Sequence, residues 1–104
     1  MRMRVIILAT GLLFVAKAGA IDFKKDIRPL LAEHCFKCHG EKKRKGGLRL
    51  TNRHDALTPG DSGKAPVVPG NSAVSLLIQK ITSRDPKEQM PQKGERLTAA
   101  QIDL

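Results

Sequence analysis

The chain has two cysteines, and both fall in one five-residue stretch, Cys35-Phe36-Lys37-Cys38-His39. Two thiols separated by two residues on a helical turn face the same side, and a histidine directly after the second sets an imidazole beneath them. This is the attachment pattern of c-type haem. The thiols add across the two vinyl groups of the macrocycle, and a neutral imidazole nitrogen of His39 binds the iron as proximal ligand. The stretch constrains the fold because the rest of the chain is poor in core material. Beyond residue 20 there are two phenylalanines and no tryptophan or tyrosine, in a domain near the lower size limit for a self-sufficient core. A buried porphyrin would supply the missing apolar mass.

Two other chemistries share these residue types. His34, Cys35, Cys38, His39 and His54 are all zinc ligands by type, but there is no second cysteine pair, and four donors within six residues wrap poorly around one tetrahedral ion. Cys-x-x-Cys is also the redox motif of thioredoxin-like folds. Those place a strand before the motif and alternate strands with helices, whereas the residues before Cys35 read as helix.

The second axial position has a candidate in Met90, the one methionine outside the first three residues. It stands in Gln89-Met90-Pro91, where a proline-stiffened loop can return over the distal face. A thioether favours ferrous iron, so a His39/Met90 pair implies a raised potential and electron transfer. The alternatives are His54 as distal ligand, giving a lower-potential centre, or an open iron acting as a sensor or peroxidase-like site.

An ordered set of further motifs surrounds the cysteines: Asp26-Ile27-Arg28-Pro29-Leu30-Leu31, Lys45-Gly46-Gly47-Leu48-Arg49-Leu50, Gly60-Asp61-Ser62-Gly63, Val68-Pro69-Gly70, Ser75-Leu76-Leu77-Ile78, and Asp85-Pro86 through Met90-Pro91. With Cys35 to Gly40, this set resembles the Planctomycete-type cytochrome c domain, a branch of the class I c-type cytochromes, from about residue 23 to the last residue. The resemblance implies a small, mostly α haem domain with long loops and with His39 and Met90 as axial ligands, often one module of a larger exported protein. It also implies that a loop carbonyl beside a proline, here Pro66 or Pro69, accepts the free N–H of the proximal imidazole.

Residues 1–20 read as a secretory signal. Arg2 and Arg4 form a positive start, Val5 to Val15 is apolar, and Ala18-Gly19-Ala20 offers a small-x-small cleavage site. The apolar run is shorter than the about 20 residues needed to span a bilayer. An exported, periplasmic bacterial product is expected, with residues 21–104 as the haem domain and no transmembrane segment in the mature chain; the alternative is an uncleaved anchor, which Lys17 close to the apolar run does little to exclude. Removing Arg2, Arg4 and Lys17 from the nineteen basic residues leaves sixteen against ten acidic ones, a formal charge of +6. The run Lys42-Lys43-Arg44-Lys45 suits docking of an acidic redox partner protein. Nucleic acid is not expected, since no aromatic residues are interleaved with the charges.

Helix one is expected to start with Asp26 as N-cap, since a start at Asp22 would put Pro29 inside the helix at a cost of about 3 kcal/mol or a kink. Ile27, Leu30, Leu31 and His34 share one face of it, and Gly40 is the natural stop. Residues 41–70 read as a mostly irregular connection, with Leu48 and Leu50 inward and Arg49 outward. Arg49 or Arg53 is a candidate partner for a haem propionate. A second helix is expected from Ser72, as N-cap, to Thr82, its stripe Val74, Leu77, Ile78 and Ile81 packing on helix one and the haem edge. Thr98 and Gln101 have capping-box spacing and Leu97 with Ile102 fits a hydrophobic staple, so a helix starts there. The sequence ends less than two turns later, which reads as a truncated C-terminal helix and an incomplete domain.

The reading is therefore a mono-haem c-type cytochrome domain with one covalent haem c, carrying one electron at a time. Cys35 and Cys38 hold the haem, His39 is proximal and Met90 distal, with an apolar wall from Leu31, Leu48, Leu50, Leu77 and Ile81. No residues suggest a substrate pocket or acid–base machinery, so the domain itself is read as a carrier and not an enzyme.

Overall fold

Pro29 decides how the first helix is built. A computed structural model describes residues 20–104 together with Gly11, so the leader reading of residues 1–20 lies almost wholly outside the described residues. The chain turns helical at Phe23, not after Asp26. Asp22 is the N-cap, its side chain accepting from the Lys25 N–H, and Asp26 reaches back to accept from the Asp22 N–H at 2.9 Å. Phe23–Ile27 form a π-turn in which the Arg28 N–H bonds to the Phe23 carbonyl, five residues back. Helix α1 then runs Arg28–His34 with Pro29 in its first turn. The expected Asp26 cap assumed that an earlier start must place proline in a regular helix. The wider turn removes that conflict, because Pro29 begins a new α segment where its missing N–H needs no partner.

The segment after the motif is more ordered than expected. A 3₁₀ turn at Lys45–Gly47 is made possible by Gly46 and Gly47, with φ of 64° and 69°, a region in which a side chain would be strained. Helix α2, Arg53–Leu57, follows, with the Asn52 side chain accepting from the Asp55 N–H. Residues 41–70 are thus not simply a connection. Asx capping makes a five-residue helix from a stretch with almost no apolar periodicity. Arg49 donates to Asp55 and, at 3.1 Å, to Glu41, while Thr51 donates to Glu41 at 2.7 Å.

The second expected helix divides. Ser72–Val74 is a 3₁₀ turn that follows Asn71, and α3 spans Leu76–Thr82 with Ser75 as its N-cap residue. Ser75 is buried, and its hydroxyl accepts from the Val68 N–H and donates to the Asn71 carbonyl at 2.9 Å. Holding that loop takes Ser75 out of the helix. Val74, expected on the apolar stripe, is consequently 49 % exposed, and Leu76 and Ile81 carry the buried face. Helix α4, Ala99–Asp103, starts at the expected capping box of Thr98 and Gln101.

Among the described residues the regular elements are all helical, with one isolated bridge between His39 and Arg44. The large apolar side chains that are buried are Leu50, Leu76 and Ile81. The principal contacts between elements join α1 to the π-turn, α3 to its 3₁₀ turn and α3 to α4; the expected pairing of α3 with α1 is not among them. No helix among the described residues is long and apolar enough to cross a membrane.

Two side chains give measurable consequences. Arg96 donates to the carbonyls of Ile81 and Ser83 at 2.9 and 2.7 Å, closing the end of α3. Arg96→Met is expected to lower the unfolding free energy by about 1.5 kcal/mol in urea titration. The hydrogen bonds from Arg49 and then Asn52 hold the Asp55 carboxyl down at about 2, below its ordinary 3.8. A carboxyl with a depressed folded pKa contributes stability above its unfolded pKa and loses it as pH falls through the folded value. That contribution therefore disappears between about pH 4 and pH 2. Asp55→Asn should destabilise the protein near neutral pH, with a gap to wild type that narrows across this window.

Candidate haem-binding site

Helix α1 ends at His34, and its apolar face leads into the motif. The Leu31 carbonyl accepts from both the Cys35 and Phe36 N–H groups at 2.8 and 3.0 Å. The Cys35 carbonyl then accepts from Cys38 and His39 at 3.2 and 2.9 Å, so Cys35–His39 form one helical turn, as the spacing predicts. Both cysteines are free thiols and half-buried. Gly40 is buried where a Cβ would overlap the Phe36 carbonyl oxygen, which explains why the turn is closed by glycine.

The chain then doubles back. The Gly40 N–H bonds to the Lys43 carbonyl, and the Lys45 N–H to the Cys38 carbonyl, at 2.8 and 2.9 Å. The basic run 42–45 is thereby held against the motif, with all four side chains exposed. Leu48, Arg49 and Leu50 pass alongside His39. The Leu50 N–H donates to the His39 carbonyl at 2.9 Å, and His39 Nδ1 is 3.3 Å from the Leu48 carbonyl. A carbonyl only accepts, so this contact places the proton on Nδ1 and leaves the lone pair on Nε2. The imidazole N–H, expected to meet a carbonyl beside Pro66 or Pro69, meets the Leu48 carbonyl instead. Pro66 is fully buried, but its carbonyl accepts from the Leu77 N–H at 2.9 Å. The residue directly before Arg49, in an extended run, reaches the imidazole edge more directly than a loop some thirty residues on.

Met90 is half-buried, tied by its N–H to the Lys80 carbonyl at 3.0 Å in the last turn of α3. His54 lies on α2 with its side chain 86 % exposed and its ring beside Asp55. Arg49, a candidate for pairing with a propionate, is occupied by Asp55 and Glu41, whereas Arg53 is exposed. Leu50 and Ile81 of the expected wall are buried, and Leu31, Leu48 and Leu77 are half-buried. A groove of about 370 Å³ runs between Val67–Ser72 and Leu77–Ile78; none of its lining comes from the motif.

These residues fit a haem. The imidazole presents Nε2, the thiols share one turn, and apolar side chains around them remain half-covered. His34 supplies a further sign that sequence reasoning did not find. Its side chain is 10 % exposed and Nε2 is buried with no hydrogen-bond partner, the Glu33 carboxylate being 3.8 Å away. Buried polar atoms in native proteins normally have partners, and the signal for this one was a histidine on the apolar face of α1.

The competing chemistries fit less well. Burial, with the neighbouring Cys38 thiol adding to it, pushes Cys35 up to about 11, opposite to the lowered value that activates a thiol for disulfide exchange. Among the described residues no three of His, Cys, Asp and Glu gather as a cation site.

No curated protein and no solved structure matches the chain. The family model described as Planctomycete cytochrome C matches residues 35–94, which takes in the Cys-x-x-Cys-His turn, the Leu48–Leu50 segment, α2, α3 and Met90. That match covers more than half of the sequence, and the chain belongs to the Planctomycete cytochrome C family.

Proposed function

We propose that this chain is a mono-haem electron carrier in which Cys35 and Cys38 form thioethers to one haem c, His39 Nε2 is the proximal ligand and Met90 the distal one. The observation that carries the reading is the His39 contact with the Leu48 carbonyl, which orients the ring and frees Nε2 for a metal. When bound, the haem supplies a one-electron couple between ferric and ferrous iron. The chain's own part is to hold the imidazole, exclude water with the Leu48, Leu50, Leu77 and Ile81 side chains, and keep Met90 near the end of α3 through its backbone bond to Lys80. Membership of a cytochrome c family supports reading the domain as an electron carrier; any catalytic activity would belong to a further module of a larger protein or to an open iron site.

The thin core supports the same reading. With so few large side chains buried among the described residues, and α1 with α3 not among the principal contacts between elements, a macrocycle between the motif and α3 would provide the apolar mass the chain lacks. The exposure of His54 and its contact with Asp55 favour Met90 over His54 as distal ligand. Export to the periplasm follows from the leader-like residues 1–20 and suits covalent haem attachment. The exposed run 42–45, held against the motif, favours an acidic protein as redox partner, because complementary charge mainly accelerates encounter.

The reading is tested in a host that attaches c-type haem. Cys35→Ala with Cys38→Ala should abolish haem that survives denaturing electrophoresis, and retention of it would refute the attachment role. Met90→Ala should remove the weak sulfur-to-iron charge-transfer band of the oxidised protein while leaving covalent haem in place; an unchanged band would exclude Met90 as ligand.

A further inference from the structure

His39 is gripped at two atoms by one short segment. Its ring donates to the Leu48 carbonyl and its own carbonyl accepts from the Leu50 N–H. Between those residues lies Arg49, the one side chain of the three that bonds outward. It donates to Asp55, at the start of α2, and to Glu41, two residues beyond His39. Each partner is itself anchored: Asp55 accepts from the Asn52 side chain at 2.8 Å, and Glu41 from the Thr51 hydroxyl. The Arg49 and Asp55 side chains are only 22 % and 16 % exposed, so the pair is sheltered from the screening that weakens surface ion pairs. On its other side Leu48 is held by local contacts, its side chain lying against Gly60. Its N–H makes a turn bond to Lys45 at 3.2 Å, and the preceding residues are the two glycines of the 3₁₀ turn.

We propose that Arg49, through Asp55 and Glu41, is a positioning residue that sets the His39–Leu48 hydrogen bond and thereby tunes the haem potential. The inference rests on His39 being the proximal ligand. A carbonyl that accepts from Nδ1 makes the imidazole a better electron donor through Nε2, which favours ferric iron and lowers the potential. The planar guanidinium fork reaches two carboxylates at once, one on each side of residues 48–50. Loosening it lets the Leu48 carbonyl drift, weakens the ring bond and raises the potential.

Two substitutions separate positioning from simple charge. Arg49→Gln removes a positive charge, which by electrostatics alone would lower the potential; positioning requires that it rise. Arg49→Lys keeps the charge but loses the fork, and its potential should also exceed that of wild type. The measurement is a spectroelectrochemical titration of the haem-loaded protein, with hydrogen exchange of the His39 Nδ1 proton followed by NMR in the reduced state. Exchange is expected to be faster in both variants. A fall in Arg49→Gln with no change in Arg49→Lys would assign the effect to charge, and unchanged Nδ1 exchange would overturn the proposal. Where Arg49→Gln does not fold, Arg49→Lys decides. Wild type that carries no haem would overturn the haem reading and this inference together, whereas haem-loaded wild type with an unaltered Arg49→Lys variant defeats the inference alone.

Discussion

The hydrogen bond between His39 Nδ1 and the Leu48 carbonyl organises everything around it. An imidazole has two nitrogens, and a protein that intends one for a metal must give the other a partner that can only accept. A backbone carbonyl meets that need, but only if the chain carrying it is immobile. Much of residues 40–57 serves this end: the Gly40–Lys43 reversal, the bond from Lys45 to Cys38, the glycine turn, the Arg49 fork and the Asn52 cap all brace the same segment. These are polar, local devices, which is what a domain with so little hydrophobic mass has available.

The other half of the domain is braced differently. Ser75 joins the Val68–Asn71 loop to the start of α3 with one buried hydroxyl, while Arg96 and the Lys80–Glu88 pair fasten the end of α3 to the chain around Met90 and before α4. The two halves each hold a proposed axial ligand, His39 in one and Met90 in the other. On that reading the apolar ring between them serves as cofactor and as core, so ligand binding and completion of the fold become one event.

Much of this was legible in the sequence, and the limits of legibility have physical causes. The Cys35–His39 turn, the glycine stop at residue 40, the inward Leu50 and the Thr98 capping box follow from short-range rules, because spacing of a few residues on a helical turn determines geometry directly. Two of the failures involve competition between local patterns. Asp26 looked like the N-cap because a π-turn leaves no pattern of its own. Ser72 looked like a helix start because nothing marks Ser75 as needed for the loop behind it. Helix α2 has hardly any apolar periodicity and exists through Asn52 and Asp55. The Leu48 carbonyl could not be singled out, since a backbone acceptor is identical at every residue; a resemblance pointed instead to the chain beside Pro66 and Pro69, where the Ala65, Pro66 and Val68 carbonyls accept from other backbone N–H groups. Arg49 was read as facing solvent or a propionate, because pairing with Glu41 and Asp55 needs a reversal of the chain that residue types alone do not reveal.

The π-turn before α1 carries a separate consequence. A turn closed five residues back instead of four holds one residue more than a regular helix would, and each residue of an α-helix advances the chain by about 100° around the axis. Deleting a single residue from Phe23–Ile27 would leave Pro29 and the motif untouched yet swing Ile21 and Phe23, both about half exposed, through a quarter turn. The heading from which the polypeptide enters the domain is therefore encoded in residue count, so length, more than composition, is the property of this stretch to which its geometry is sensitive.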